Sequence, residues 1–326
     1  MAFIGAKKDN IKQERNYRKG LAKKSAFRFW DLYLLLIPVI AYFIIFKYIP
    51  MFGVTIAFKD YTTADGILGS KWLDITKPTE FFKWFLQFFN SYRFWPVITN
   101  TLILSAISIA FKFPFPIILA LVMNEMGNRR YKKTVQTVTY APYFVSTAVT
   151  VAMLMAFTSP TTGIVNKVIE GVGGNSVYFM IEPEWFRPLY VISDLWKGTG
   201  WGSIIYMAAL SGIDPGLYEA ASIDGASRWQ MLRRITFPSI LPTAVIMLIL
   251  DCSHILTVGF EKAFLMQNTM NISVSEVIST YTYQVGIQQG YYSYSTAIGL
   301  FNSVVNITLL LLVNRVAKKL SSTSLW

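Results

Sequence analysis

The chain has 326 residues, of which 53% are hydrophobic and only 15% charged, well short of the roughly 25% charged residues usual in a soluble domain. Its mean hydropathy of +0.42 comes from long apolar runs, which marks an integral membrane protein and excludes an ordinary soluble domain. The lone Cys252 excludes an intrachain disulfide, the lone His254 excludes a multi-histidine metal site, and the net charge of +12 suggests nucleic acid only if loops beside membrane spans do not already explain it.

In chain order, residues 1–29 are polar and carry nine Lys and Arg. They lack the short apolar core and small-residue cleavage site of a signal peptide, so they read as a cytoplasmic N-terminal segment ahead of a transmembrane domain over 30–326. Crossing about 30 Å of hydrocarbon takes around 20 apolar helical residues. Six segments qualify, at residues 32–58, 96–123, 135–157, 188–212, 238–260 and 296–316. The predicted fold is all-α and integral to the membrane, with six transmembrane helices and both termini cytoplasmic. In that topology 19 Lys and Arg fall in cytoplasmic segments, counting Arg315 at the end of the last span, against eight in outer segments. This is the positive-inside excess, and it accounts for the basic balance without nucleic acid as a partner.

Within the spans, Pro114 and Pro116 remove backbone donors and are expected to kink the second one. Gly198, Gly200 and Gly202 in the fourth allow close helix approach. Two outer segments differ sharply. Residues 80–92, EFFKWFLQFFNSY, predict a short aromatic helix lying in the membrane interface. Residues 159–187 hold four glycines and two prolines and predict an irregular, exposed loop.

The most legible stretch is cytoplasmic, at 213–237. Asp214 followed by Pro215 is an N-cap and first-turn pair, because the carboxylate accepts free backbone N–H groups where proline has none to lose. The helix starting there carries Glu219, Ala220 and Ala221 and stops at Asp224-Gly225, where glycine permits a left-handed cap. A second, amphipathic helix follows through Trp229, Leu232 and Ile235. A knuckle with small residues at its tip suits a groove on another protein, although the same physics describes a structural elbow.

The string EAASIDGASRWQMLRRITFPSILP resembles the EAA loop of ABC-importer permeases: Glu219, Ala220, Ala221, Asp224, Gly225 and Ala226, then Ile235 and Pro238. Further stretches are similar to the LplB-type branch of carbohydrate permeases: NTLILS at 100–105, PIILALVMNE at 116–125, DLWKGTGWGSIIYMAALSGIDP at 194–215, VGFEKAFLMQN at 258–268, TAIGLFNSVVN at 296–306 and the closing SLW. The resemblance implies a MalF/MalG-like permease fold in the bacterial cytoplasmic (inner) membrane. It further implies a second homologous permease, two cytoplasmic ATPases that bind ATP and magnesium, an extracytoplasmic solute-binding protein and an oligosaccharide substrate. It also implies that Glu219 to Ala226 couple the chain to the ATPase. The chain itself has no phosphate-cradling Gly-rich loop. Nothing in it resembles a nucleophile–base pair or a metal cluster, so no catalytic residue, metal ligand or cofactor of its own is expected.

Ionisable residues deep in a span face a bundle interior or a wet cavity. Lys112, Lys197, Asp251 and His254 have that depth, with Asp251 and His254 expected one turn apart on the fifth span. Neutralising pairs such as Asp194 with Lys197, or Lys112 with Asp251, are one account of them. A polar midplane sugar site is the other, built from these residues with Asp194, Trp196, Trp201, Tyr206 and Asn302, since carbohydrate sites join aromatic faces to hydrogen-bonding groups. Lys112 and the DCSH run at 251–254 depart from the family's usual pattern. Cations in the path suit an anionic oligosaccharide, such as a uronate-containing fragment of alginate or pectin. A neutral oligosaccharide is the alternative, and an ion-coupled secondary transporter using Asp194, Asp251 and His254 is a third reading.

Overall fold

The computed structural model describes residues 30–320; the basic segment 1–29 and the closing SLW lie outside the described residues. The described residues divide into two units between Thr55 and Ile56.

In the first unit, helix α1 (Trp30–Phe43) continues through a π turn, Ile44–Tyr48, and a short turn, Ile49–Met51. No described side chain from 30 to 55 is buried. A helix that is apolar on every side and buries none of them is matched to lipid rather than to water. The π turn lies just ahead of Pro50, whose missing N–H interrupts the regular ladder. The same arrangement recurs far along the chain, where the π turn Leu232–Thr236 precedes Pro238.

The second unit opens with a small antiparallel pair, β1 (Lys59–Asp60) with β2 (Lys71–Trp72), in the register Lys59 to Trp72, so the fold is not purely helical. A turn, Pro78–Phe81, and helix α2 (Lys83–Phe89) follow. The single interfacial helix expected over 80–92 is therefore two pieces, and its rings do not all face lipid. Phe88 is buried against Phe94, Tyr281, Tyr294 and Phe301, while Phe82 and Phe89 stay exposed. Edge-to-face contact with other rings holds Phe88 in the core as well as a membrane interface would.

Helices α3 (Phe94–Lys112) and α4 (Pro114–Glu125) form one span, Phe94–Glu125, divided at Phe113 by the prolines that follow it. The segment expected as the third span is bent by 100° between α5 (Arg129–Tyr140) with its extension Ala141–Phe144, and α6 (Thr147–Phe157). Val145 and Ser146 are extended, and the Ser146 hydroxyl accepts the Val149 N–H. That N-cap starts a new helix instead of continuing the old one.

The loop expected to be irregular contains α7 (Ile164–Gly171). One buried side chain organises it: Asn166 donates to the carbonyls of Thr158, Ser159 and Val177 and accepts the Val177 N–H. A buried amide bonded this fully replaces regular ladder bonds that the Gly-rich chain does not make.

Helix α8 (Pro183–Ser211) is the hub, packing against α3, α4 and α5 and against α10 (Phe237–Ser253). It has 29 residues, about 43 Å at 1.5 Å rise per residue, but Glu184, Arg187, Asp194 and Lys197 make it less apolar than a lipid-facing helix. Among the described residues, four helices are long and apolar enough to cross a membrane, five if the bent pair is one span; α8 is not one of them. Its close approach runs through two of the three glycines singled out above. A Cβ at Gly200 would overlap the Thr139 carbonyl oxygen of α5, and one at Gly202 would lie 3.1 Å from the Pro116 ring, whereas Gly198 faces open space.

Helix α10 ends at Ser253, short of the expected 260, with the chain turning before α11 (Phe260–Met266). After the turn Ile272–Ser275, α12 (Ile278–Tyr283) and a π turn, Gln284–Gln288, lead to α13 (Tyr292–Leu320). This connection is core rather than surface loop, because Met266, Val277 and Ile278 are almost wholly inaccessible. It is tied to α3 by Arg93, which bonds the buried Glu276 at 2.7 Å, and by Asn100, which donates to the Ser273 and Glu276 carbonyls. The Tyr92 hydroxyl and the Glu276 carboxylate hold the Arg93 guanidinium above its ordinary range.

Candidate functional site

Three adjoining cavities, the largest about 310 Å³, share Lys112 and Asp194 in their walls. The break at Phe113 leaves Lys112 as the last residue of α3, while Asp194 sits midway along α8. Lys112 Nζ lies 3.3 Å from Asp194 Oδ2, and its side chain is 47% exposed. A second lysine completes the group. Lys262 Nζ donates to Asp194 Oδ1 at 2.7 Å and to the Tyr190 carbonyl at 2.6 Å, with its side chain only 8% exposed, and it lies 4.2 Å from the Tyr190 ring centre. One carboxylate thus serves two ammonium groups from helices far apart in sequence.

The neutralising pairs expected from spacing are not the ones formed. Asp194 takes Lys112 and Lys262 instead of Lys197, which donates to the Thr147 hydroxyl at 3.3 Å. Asp251 lines two of the cavities with Lys112, but makes no ion pair with it among the described residues. His254 is the C-cap of α10, its N–H bonding the Asp251 carbonyl at 3.2 Å, so the two stand one tight turn apart and line one cavity. Tyr206 is buried and reaches the second cavity.

Three expected members stand apart. Trp196 lines a separate apolar hollow with Phe157 and Ile192. Trp201 stacks flat on Tyr143, ring centres 4.4 Å apart. Asn302 lies on α13 outside these cavities, its Oδ1 buried without a partner. Helical spacing explains the scatter, since Trp196 is two positions from Asp194 and points about 200° around the helix from it. Lys262 was missed because it follows the fifth apolar run. The signal available was its isolation, as the only Lys or Arg in residues 261–295.

The 213–237 loop is built as its sequence reads. Helix α9 (Pro215–Ile223) starts with Asp214 accepting the Gly216 N–H at 2.9 Å. It ends with Gly225 at φ +74°, the Gly225 N–H on the Ser222 carbonyl and the Ala226 N–H on Ala221. That crossed pair is a Schellman cap, which requires a left-handed residue at the glycine position. Ser227 and Gln230 then form a reciprocal capping box that the sequence reading did not single out. The Tyr218 hydroxyl meets that of Thr236 at 3.0 Å and clips the two arms together. Glu219, Ala220, Asp224 and Gly225 are exposed, Ala221 and Ala226 half-buried. Leu217, Ile223 and Trp229 present apolar surface, Ile223 being 87% exposed.

Residues 112–322 match the family described as binding-protein-dependent transport system inner membrane component. The chain is a permease subunit of that family. The permease is 44% identical over 295 residues to Protein LplB of Bacillus subtilis, spanning 90% of this chain and 91% of that one. It is 41% identical to the polygalacturonan/rhamnogalacturonan transport system permease protein YteP of the same organism, over 90% of each. Among solved structures, it resembles a chain of a bacterial ABC transporter involved in the import of the acidic polysaccharide alginate, with a TM-score of 0.82 and 42% identity, covering 91% of this chain and 98% of that one. It also matches a chain of a bacterial alginate ABC transporter in complex with alginate pentasaccharide-bound periplasmic protein, at TM-score 0.83 and 41% identity, covering 93% of this chain and 99% of that one. The permease is accordingly a multi-pass inner-membrane protein.

Proposed function

We propose that this permease forms, with a second homologous permease, the path through which an ATP-driven importer takes up acidic oligosaccharides. The observation that carries the substrate class is the cation-rich wall of the cavity, where Lys112, Lys197 and Lys262 outnumber Asp194 and Glu261. Two relatives described for pectic or alginate polymers support the same reading. A carboxylate passing such a wall gains charge-assisted hydrogen bonds that a neutral sugar lacks. Asp251, His254 and Tyr206 supply polar groups to the same path, while Trp196, Trp201 and Asn302 are better placed for packing or for contact with the second permease.

In this reading α8 and the bent pair complete six crossing segments, both termini are cytoplasmic, and the 213–237 loop faces the ATPases. Glu219, Ala220, Ala221, Asp224, Gly225 and Ala226 dock in a cleft of one ATPase. ATP and magnesium bind there, not to this chain. Closure of the two ATPases moves two such knuckles as rigid bodies, and the spans follow, opening the cavity alternately to each side. A solute-binding protein delivers the sugar on the other face.

The test is import by the complete transporter, reconstituted in lipid vesicles with its ATPase and binding protein, of trigalacturonate and of its fully methyl-esterified counterpart. ATP-dependent import that favours the free acid is expected. Equal import of both forms removes the acidic reading and leaves a neutral-sugar permease. Import that persists without ATP and follows an ion gradient removes the ATP-driven one.

A further inference from the structure

Resting on the proposed path, the unequal lives of the two lysines at Asp194 point to a division of labour. The Lys262 ammonium donates to Asp194 Oδ1 and to the Tyr190 carbonyl and packs on the Tyr190 ring, with its side chain only 8% exposed, so two of its three donors are already held and little of it faces a ligand. Lys112 has the longer contact, 3.3 Å, lies at the edge of all three cavities and is 47% exposed. The carboxylate bonds most closely to the buried lysine and leaves the exposed one a surplus cation.

We propose that Lys262 is a positioning residue that neutralises Asp194 and thereby frees Lys112 to meet the carboxylates of the passing sugar. Without Lys262, Asp194 has Lys112 as its remaining close counterion, and the cavity wall loses its available positive charge. Asp251 in the first cavity and Glu261 in the third are the further carboxylates of these walls. They deepen that loss, because Asp251 faces Lys112 in one cavity and Glu261 faces Lys197 in another.

The experiment compares wild type, Lys262→Met and the double variant Asp194→Asn/Lys262→Met in the reconstituted transporter, reading import of trigalacturonate against its methyl ester from saturated binding protein. Lys262→Met is expected to lower the acid-to-ester ratio by about tenfold, the low end of what a hydrogen bond to a charged group supplies. The double variant removes the pair together and is expected to keep the wild-type ratio. An unchanged ratio in Lys262→Met overturns the proposal. So does loss of the ratio in the double variant, which makes Lys262 itself the ligand. Should Lys262→Met fail to reach the membrane, Lys262→Gln takes its place, with the same expected fall in the ratio and the same overturning result. Equal import of both sugars by wild type instead removes the acidic reading beneath the proposal, and is seen before any variant is measured.

Discussion

The 213–237 loop and the cavity around Asp194 are built in opposite ways. Every bond that shapes the loop joins residues close in sequence: Asp214 to Gly216, Ala226 to Ala221, Ser227 to Gln230 and Tyr218 to Thr236. The cavity is assembled from α3, α8, α10 and α11, with Asp194 joined to Lys112 across 82 residues and to Lys262 across 68. A local device fails locally when damaged. A non-local one takes the frame with it.

The largest expected effect follows from breaking the loop at its cap. Gly225 holds φ +74°, and proline is locked near −65°, so Gly225→Pro destroys the Schellman turn while touching no span. Uptake is expected to fall by about a hundredfold or more, as a docking element loses its geometry, with unchanged abundance in the membrane fraction. Normal uptake by this variant would separate the loop from energy coupling.

The next effect belongs to the cavity. Asp194→Asn leaves Lys262 buried without its counterion, and removing one partner of a buried pair costs about 3 kcal/mol. Thermal unfolding in detergent, followed by tryptophan fluorescence, is expected to shift well below wild type, and adding Lys262→Met is expected to recover most of the loss. Absence of that recovery would mean that the two charges do not stabilise the frame through each other. Gly200→Ala tests the same frame without charge. Its methyl would overlap the Thr139 carbonyl, and over-packing of this kind costs about 1–3 kcal/mol.

Legibility divides along the same line. Asp214, Pro215, Glu219 and Gly225 carry their structural roles in their immediate neighbours, so the knuckle could be read directly. Lys112 was identified by the rarity of charge in apolar runs and Asp194 by its spacing from Lys197, but the pairs they form were not, because helical spacing favoured Lys197 for Asp194 and tertiary packing supplied Lys262. The 100° bend between α5 and α6 was hidden for a related reason. Apolarity runs unbroken through APYFVS, and only Pro142 and the Ser146 cap mark the turn. The buried connection from α11 to α12 reads as loop because its core contacts, among them Arg93 with Glu276, join residues 183 positions apart.

The smallest effect returns to the loop and sharpens the comparison most. Ser227 accepts the Gln230 N–H at 3.3 Å while Gln230 returns a bond to the Ser227 N–H at 2.7 Å. Ser227→Ala removes the hydroxyl half of this box, for which about 1 kcal/mol is typical. Four residues of regular helix, Arg228–Met231, lie between the cap and the π turn before Pro238. Loosening the cap therefore frees the knuckle to pivot without unwinding α10. The expected result is a global unfolding temperature close to wild type, with faster hydrogen exchange confined to residues 227–231 and a several-fold fall in uptake per ATP hydrolysed. A matching fall in global stability would show that the loop is no separate device, and that its local bonds are part of the same frame that holds the cavity.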